Sequence, residues 1–219
     1  MTSHTEGQPG AVDGQSQPPG AALHMVVIYT DAGGGHRATA EALKDILETS
    51  GRYRVTLVNA YQEVLPHLDL FARFTSRDVE KTYNELILQQ GHTGAFCLAF
   101  YLGAVINVVT LGGRAKQAFA RLWERTEPDL VVSVLPMINH ILIDSLASYR
   151  DGETPFTVLM TDWAEMTPSV WFPRRDDYFA IAGTEPSIRR LKRKRHPADK
   201  LFEMAGLLTR PEFLEPVPA

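Results

Sequence analysis

The chain has 219 residues, of which 44% are hydrophobic and 22% charged, and its formal net charge is −4. This composition suits one globular domain of good size. The negative net charge argues against a chain that binds nucleic acid or another polyanion over its whole surface. The single cysteine, Cys97, excludes an internal disulfide and a cysteine-cluster metal site.

Both ends of the chain are predicted to lie outside the folded domain. Residues 1–22 are rich in Gly, Pro, Gln and Ser, which is typical of a disordered tail, and they lack the basic and apolar parts of a signal peptide. Residues 214–219 are proline-rich and resemble the remnant of a linker. We therefore expect one domain over residues 23–213.

Strand and helix patterns alternate along this domain. Six short apolar runs bounded by turn residues predict strands over residues 24–30, 53–60, 129–135, 156–161, 178–183 and 201–206. Helical patterns cover 37–49, with Ala40, Leu43, Ile46 and Leu47 on one stripe; 137–148, with Ile138, Ile141, Leu142 and Leu146; and 185–195. The alternation predicts an α/β fold with a Rossmann-like parallel sheet and helices on both faces. Ligands of such sheets bind at the carboxyl ends of the strands.

A long insertion interrupts the alternation. Residues 61–126 are predicted to be mostly helical, and within them residues 95–111 form a run of 17 residues without a charge. A helix that crosses a membrane needs ~20 apolar residues. We therefore expect residues 95–111 to form a buried helix or one that lies in a lipid interface, and the sequence leaves both open.

Three glycines, Gly33, Gly34 and Gly35, follow the first strand and open the first helix. With the residues after them they satisfy the GxGxxA form of the dinucleotide fingerprint. That fingerprint also needs an acid at the end of the second strand, where this chain has Asn59. A nucleotide-binding oxidoreductase is therefore disfavoured, and either a tight turn or the approach of another ligand explains the glycines.

His36 follows the glycines, in the first turn of the predicted helix. The positive end of a helix dipole favours a neutral imidazole, and a neutral imidazole can accept a proton. His36 is therefore a candidate general base. A solvent-facing residue of the first turn is the structural alternative.

Four segments carry a resemblance to a known family, and they occur in this order: YTDAGGGHRATAEAL, EPDLVVSVLPMINHI, PFTVLMTDWAEMTPSVWF and AGLLTRPEF. Over about residues 24–213 the chain resembles the monogalactosyldiacylglycerol synthase and processive diacylglycerol glucosyltransferase family. The resemblance implies the N-terminal half of a two-domain GT-B glycosyltransferase. In that family this half binds a lipid acceptor at a membrane, and the C-terminal half binds the nucleotide-sugar. No metal and no other cofactor is implied.

The resemblance also implies roles for individual residues. His36 would take the proton of the acceptor hydroxyl during inverting transfer of a hexose from a UDP-sugar to diacylglycerol or a related lipid. The expected acceptor-binding residues are Gly33, Gly34, Gly35, Arg37, Pro136, Asn139, His140, Asp162 and Trp163. For Asp162 an N-cap is the structural alternative. We expect Trp171 and Phe172 to pack in the core, and lining of an acceptor groove is the alternative for both.

The chain departs from the family pattern in two ways. Leu135 stands where the family commonly has a histidine before the proline, and Thr167-Pro168 stand where another histidine precedes Trp-Phe. The sequence after residue 213 is too short for a second domain, so we expect the donor-binding domain to be absent and the chain alone to be inactive. The alternative is a non-catalytic lipid-binding module, or half of a split or truncated gene that works with a separate donor domain.

A dense basic run lies near the end of the domain. We expect an anionic membrane surface to contact its members: Arg189, Arg190, Lys192, Arg193, Lys194 and Arg195. A solvated helix face is the alternative, and the absence of an aromatic platform disfavours nucleic acid. The predicted location is cytoplasmic, peripheral to the inner face of the plasma membrane.

Overall fold

A computed structural model describes residues 22–31, 34–66, 112–163 and 170–209. The strands are β1 (Leu23–Tyr29), β2 (Tyr53–Asn59), β3 (Leu130–Ser133), β4 (Phe156–Leu159), β5 (Phe179–Ala182) and β6 (Leu201–Glu203). They form one sheet in the order β2-β1-β3-β4-β5-β6, and every neighbouring pair is parallel. The described helices are α1 (Gly35–Thr49), α2 (residues 112–126), α3 (Asn139–Leu146) and α4 (Glu185–Arg193). The predicted Rossmann-like α/β fold is confirmed.

The strand order creates a crevice between β1 and β3. The chain passes from β1 to β2 on one side and then returns past β1 to form β3 on the other. At such a reversal the connections leave the two neighbouring strands in opposite directions, which opens a space above their carboxyl ends. The segments after β1, β3 and β4 therefore meet near this crevice.

Hydrophobic side chains cover both faces of the sheet, as parallel strands require. One face packs against a cluster that includes Phe119 and Trp123, both fully buried. The indole of Trp123 donates to Ser145 Oγ at 2.8 Å, so its buried N–H is satisfied. The other face packs against α1 through Ala40 and the strand residue Val27.

The predicted helical stripes are confirmed except at one position. All four predicted core residues of the α3 region are at most 5% exposed. In α1, Ala40 is buried and Leu43 and Leu47 pack against the core, but Ile46 is 43% exposed. Ile46 lies six positions after Ala40, which is about 240° around the helix, so it points away from the sheet.

The predicted insertion over residues 61–126 is described only at its ends. Ala60–Val64 form one π-helical turn, and residues 112–126 form α2. The predictions for residues 95–111 and 214–219 lie outside the described residues, and so does the predicted tail over residues 1–22 except for its last residue. Among the residues that the structure describes, no helix is both long and apolar enough to cross a membrane.

Candidate functional site

The turn from β1 into α1 brings helix backbone close to open space. Gly34 caps α1 with φ 74° and ψ −24°, a left-handed conformation that favours glycine. A Cβ placed on Gly34 or Gly35 would meet no heavy atom of the described protein within 4 Å. A ligand can therefore approach the backbone at the start of α1. Gly33 lies outside the described residues.

His36 extends from α1 across the end of β3 to the segment after β4. Its Nδ1 lies 2.8 Å from the hydroxyl of Thr161, and its ring centroid lies 5.7 Å from that of Trp171 at an interplanar angle of 51°. His36 is half-buried, whereas Trp171 is 1% exposed. The imidazole is thus held on one side by a hydroxyl and on the other by a buried indole.

Asp162 joins the same group of side chains through Trp171. The indole N–H of Trp171 donates to Asp162 Oδ2 at 2.7 Å. The Asp162 carboxylate is also close enough to the imidazole to raise the pKa of His36. A fixed negative charge therefore stands near the ring, where it stabilises an imidazolium if one forms. We call His36, Thr161, Asp162 and Trp171 the histidine cluster.

Burial lowers the pKa of His36 from its ordinary value of 6.5, and the Asp162 carboxylate and the Val134 backbone act in the opposite direction. Because the net shift of the pKa is downward, the imidazole is neutral at neutral pH. The sequence predicted a neutral ring from the helix dipole, whereas here burial lowers the pKa. In the tautomer that carries its proton on Nδ1, that nitrogen donates to Thr161 and Nε2 keeps a lone pair. The cluster can then act as a general base through Nε2.

Two other predicted site residues flank the histidine cluster. Arg37 lies on the exposed side of α1, where it donates to Glu41 at 2.8 Å and to Asp31 at 3.4 Å. Trp163 directly follows Asp162 and is 72% exposed. The hydroxyl of Thr184 donates to the Trp163 carbonyl, which fixes the backbone beneath the open indole. An apolar surface is therefore available beside the cluster.

Asn139 holds the turn after β3 against the segment that carries Trp171. It is 1% exposed, and its Nδ2 donates to the carbonyls of Leu135 and Trp171 at 3.1 and 2.8 Å. Its Oδ1 accepts from the Ser133 hydroxyl at 2.6 Å. These contacts give Asn139 a supporting position below the crevice. Nearby, the Pro136 carbonyl accepts from a backbone N–H at the start of α3.

His140 is in a different environment. Burial lowers its pKa, Asp144 acts in the opposite direction, and Arg175 adds to the lowering. Arg175 donates to Asp144 at 2.6 Å. Among the described residues, no hydrogen bond or ring contact joins His140 to His36.

Asn59 has a structural use at the end of β2. Its side-chain oxygen accepts from the N–H groups of Tyr61 and Gln62 at 3.0 and 3.1 Å, while Glu63 accepts from the Asn59 N–H at 2.7 Å. This reciprocal capping explains an asparagine where a dinucleotide site has its ribose-binding acid.

The predicted basic run divides between two surfaces. Arg189 pairs with Glu185 at 3.4 Å, and Lys192 pairs with Glu203 at 2.7 Å. The other four members line a cleft beside the segment 173–178: Arg190, Arg193, Lys194 and Arg195. The run is therefore not one uniform solvated face.

The sequence-based prediction of the site omitted Thr161, and it favoured core packing over an acceptor groove for Trp171. Trp171 is buried, as predicted, and Phe172 is fully buried. Thr161 had a usable signal, because it directly follows the apolar run of β4 and so lies at the ligand-binding edge. The sequence has no comparable signal for the contact between Trp171 and His36.

Comparisons with known proteins add independent evidence. No protein-family model matches the chain. A probable monogalactosyldiacylglycerol synthase of Nicotiana tabacum is 27% identical over 212 residues, which cover 93% of this chain and 37% of the relative. A probable monogalactosyldiacylglycerol synthase 2 of Oryza sativa subsp. indica is 28% identical over 222 residues, covering 95% and 44%. The monogalactosyldiacylglycerol synthase of Spinacia oleracea is 25% identical over 208 residues, covering 91% and 37%.

These relatives also correct the predicted location. Their names describe chloroplastic proteins. The predicted location, cytoplasmic and peripheral to the inner face of the plasma membrane, is therefore wrong. The chain spans about two fifths of the length of the curated relatives it matches. Nearly the whole chain is thus homologous to part of monogalactosyldiacylglycerol synthases, which supports the predicted family.

Proposed function

We propose that the chain is the acceptor-side domain of a glycolipid-synthesising glycosyltransferase that transfers a hexose from a UDP-sugar to diacylglycerol. The observation that carries the proposal is the position of His36, a half-buried neutral imidazole beside open space at the strand crevice. The names of the relatives favour galactose as the hexose.

His36 has one chemical task in this proposal. The acceptor hydroxyl oxygen forms a bond to the anomeric carbon of the sugar while the bond from that carbon to the diphosphate oxygen breaks. UDP leaves with the electron pair of the broken bond, and the anomeric configuration inverts. The hydroxyl proton moves to Nε2 of His36. The carboxylate of Asp162 stabilises the resulting imidazolium.

The surroundings of His36 would position the acceptor. The open approach at Gly34 and Gly35 leaves room for the glycerol hydroxyl, and the exposed Trp163 offers an apolar surface to the acyl chains. Asn139 would act indirectly, by holding the turn that supports Trp171. Contacts of the acceptor with Gly33, Arg37, Pro136 and His140 stay predictions.

We place the UDP-sugar site in a second domain, within the part of the relatives' length that the match does not cover. Transfer requires both substrates to be held together, so His36 alone would not support it. This arrangement corresponds to the GT-B architecture of the family that the sequence resembles.

The proposal includes contact with a membrane surface, because diacylglycerol resides in lipid. The basic residues between Arg189 and Arg195 support attraction to anionic headgroups. We expect the chain to sediment with anionic vesicles, less so at high salt and less so when this run is neutralised. Equal sedimentation of the neutralised variant would contradict a role for the run.

A transfer assay tests the proposed function. The chain would be supplied with UDP-galactose or UDP-glucose and diacylglycerol vesicles, with and without a donor domain taken from a relative. We expect labelled sugar on the lipid only when the donor domain is present, and none with triacylglycerol, which has no free hydroxyl. Lipid binding without transfer in every combination would favour the alternative, a non-catalytic lipid-binding module.

A further inference from the structure

A second concave site lies away from the histidine cluster. Its walls are the segment 173–178, which directly precedes β5, and the end of α4 with residues 194–196, which precede β6. It therefore lies toward the amino ends of these strands, whereas His36 lies at the carboxyl edge. The space has a volume of about 860 Å³, which is in the range of small-molecule sites. We call it the basic cleft.

Six cationic side chains line the basic cleft: Arg174, Arg175, Arg190, Arg193, Lys194 and Arg195. Asp176 is its one acidic lining residue. Such an excess of positive charge in a concave space concentrates anions. The overall negative charge of the chain makes this excess a local property of the cleft.

The cations of the basic cleft differ in how far the protein already uses them. Arg175 is engaged, because it donates to Asp144 and through two nitrogens to Asp177. Lys194 donates to the Phe172 carbonyl at 2.9 Å. Within the described part of the chain, no ion pair is recorded for three further arginines: Arg174, Arg193 and Arg195. Their guanidinium groups are available to a ligand.

The dipole of α4 does not account for this charge. A helix C-terminus carries about half a negative elementary charge, which one or two cations in the last turn offset. Three cations already occupy that turn: Arg190, Lys192 and Arg193. Arg174 is not on the helix, and Arg195 follows its end, so neither is explained by helix stabilisation.

Arg195 also has an unfavourable backbone conformation. Its φ is +58°, in the left-handed region, at the position after the helix where glycine is the usual residue. The Arg195 N–H donates to Lys192 and the His196 N–H to Leu191, which closes the helix end around this conformation. An L-residue there is less favourable than glycine, and such strain is often associated with function. The side chain of this strained residue, Arg195, lines the cleft.

From these observations we propose that the basic cleft binds a phosphate group, carried either by a phospholipid headgroup or by a soluble phosphorylated compound. Guanidinium groups pair with phosphate oxygens through two parallel hydrogen bonds, which gives arginine an advantage over lysine at such sites. The proposal does not rest on the glycosyltransferase function, because it uses none of the residues of the histidine cluster.

Equilibrium dialysis and vesicle sedimentation test the proposal with the whole chain. The soluble probe is radiolabelled inorganic pyrophosphate, and the lipid probe is phosphatidylcholine vesicles with and without phosphatidylglycerol. The test variant carries Arg174→Gln, Arg193→Gln and Arg195→Gln. The control variant loses the same charge at exposed arginines outside both the cleft and the basic run, through Arg54→Gln, Arg121→Gln and Arg125→Gln. Thermal unfolding of both variants verifies that they fold.

We expect the test variant to bind at least one probe roughly tenfold more weakly than the wild type, and the control variant to bind within about twofold. Loss with pyrophosphate indicates a soluble phosphate ligand, and loss with vesicles alone indicates a lipid headgroup. Equal weakening in both variants would show diffuse charge attraction and overturn the proposal. No binding of either probe by the wild type would also overturn it.

Discussion

The Thr161 hydroxyl is predicted to accept the hydrogen of His36 Nδ1 and so to favour that tautomer, and Thr161→Val tests this directly. Valine keeps the shape of threonine and removes only the group that lies 2.8 Å from Nδ1. Thr157→Val is a matched control, because Thr157 is a mostly buried threonine on the adjoining strand β4, with no recorded contact to His36.

The size of the effect follows from the energy of one hydrogen bond. A net contribution of about 0.5–1.5 kcal/mol changes the ratio of the two tautomers by about 2-fold to 13-fold at 25 °C. Only the tautomer with its proton on Nδ1 leaves Nε2 free to accept the acceptor proton. Because kcat follows the population of this tautomer, we expect kcat of the complete enzyme to fall by less than this factor, and by least where the wild type is almost wholly in the Nδ1 form.

Nitrogen NMR of the histidine ring measures the tautomer on the chain itself, without an assay of activity. In the wild type and in Thr157→Val we expect His36 to carry its proton mainly on Nδ1. In Thr161→Val we expect the population to move toward the Nε2 tautomer. Identical ring-nitrogen shifts in all three proteins would refute the role of Thr161.

Three further predictions concern the crevice and the sheet edge. In Asp162→Asn the pKa of His36 should fall further, because the carboxylate that raises it is gone. The acid limb of the pH profile of kcat/KM should therefore move to lower pH, and a move to higher pH would contradict this. Gly35→Ala should preserve or raise stability by up to about 1 kcal/mol in urea unfolding but raise KM for the lipid, and an unchanged KM would argue against close approach of the acceptor. Gly183→Ala places a Cβ 1.5 Å from the Gly206 carbonyl oxygen. The free energy of unfolding should therefore fall by at least about 1–3 kcal/mol, and a wild-type urea midpoint would be inconsistent with that contact.

The strands were predictable because parallel strands buried on both faces form continuous apolar runs. The ends of the strands were less predictable. Val134 and Leu135 follow β3 and are fully buried, and Met160 follows β4 and is 1% exposed, yet none belongs to its strand. Hydrophobicity reports burial, and burial continues past the last residue of the ladder.

The site was predictable only where its chemistry is local in sequence. His36 follows directly from its glycine turn, and the pairing of Arg189 with Glu185 is a helical i to i+4 contact. The contact of His36 with Trp171 joins residues that are far apart in the chain. The ion pair of Lys192 with Glu203, which separates Lys192 from the rest of the basic run, likewise joins two different elements. Such contacts depend on tertiary packing, which a single sequence does not display.

The most direct measurement of the role of His36 is the transfer rate of His36→Ala in a chain completed with a donor domain. Sugar transfer from UDP-galactose to diacylglycerol would be followed beside the wild type and Thr157→Val. If His36 is the base, turnover of His36→Ala should fall by about 100-fold or more, with Thr157→Val close to wild type. Near-normal turnover of His36→Ala would contradict the assignment of His36 as the base.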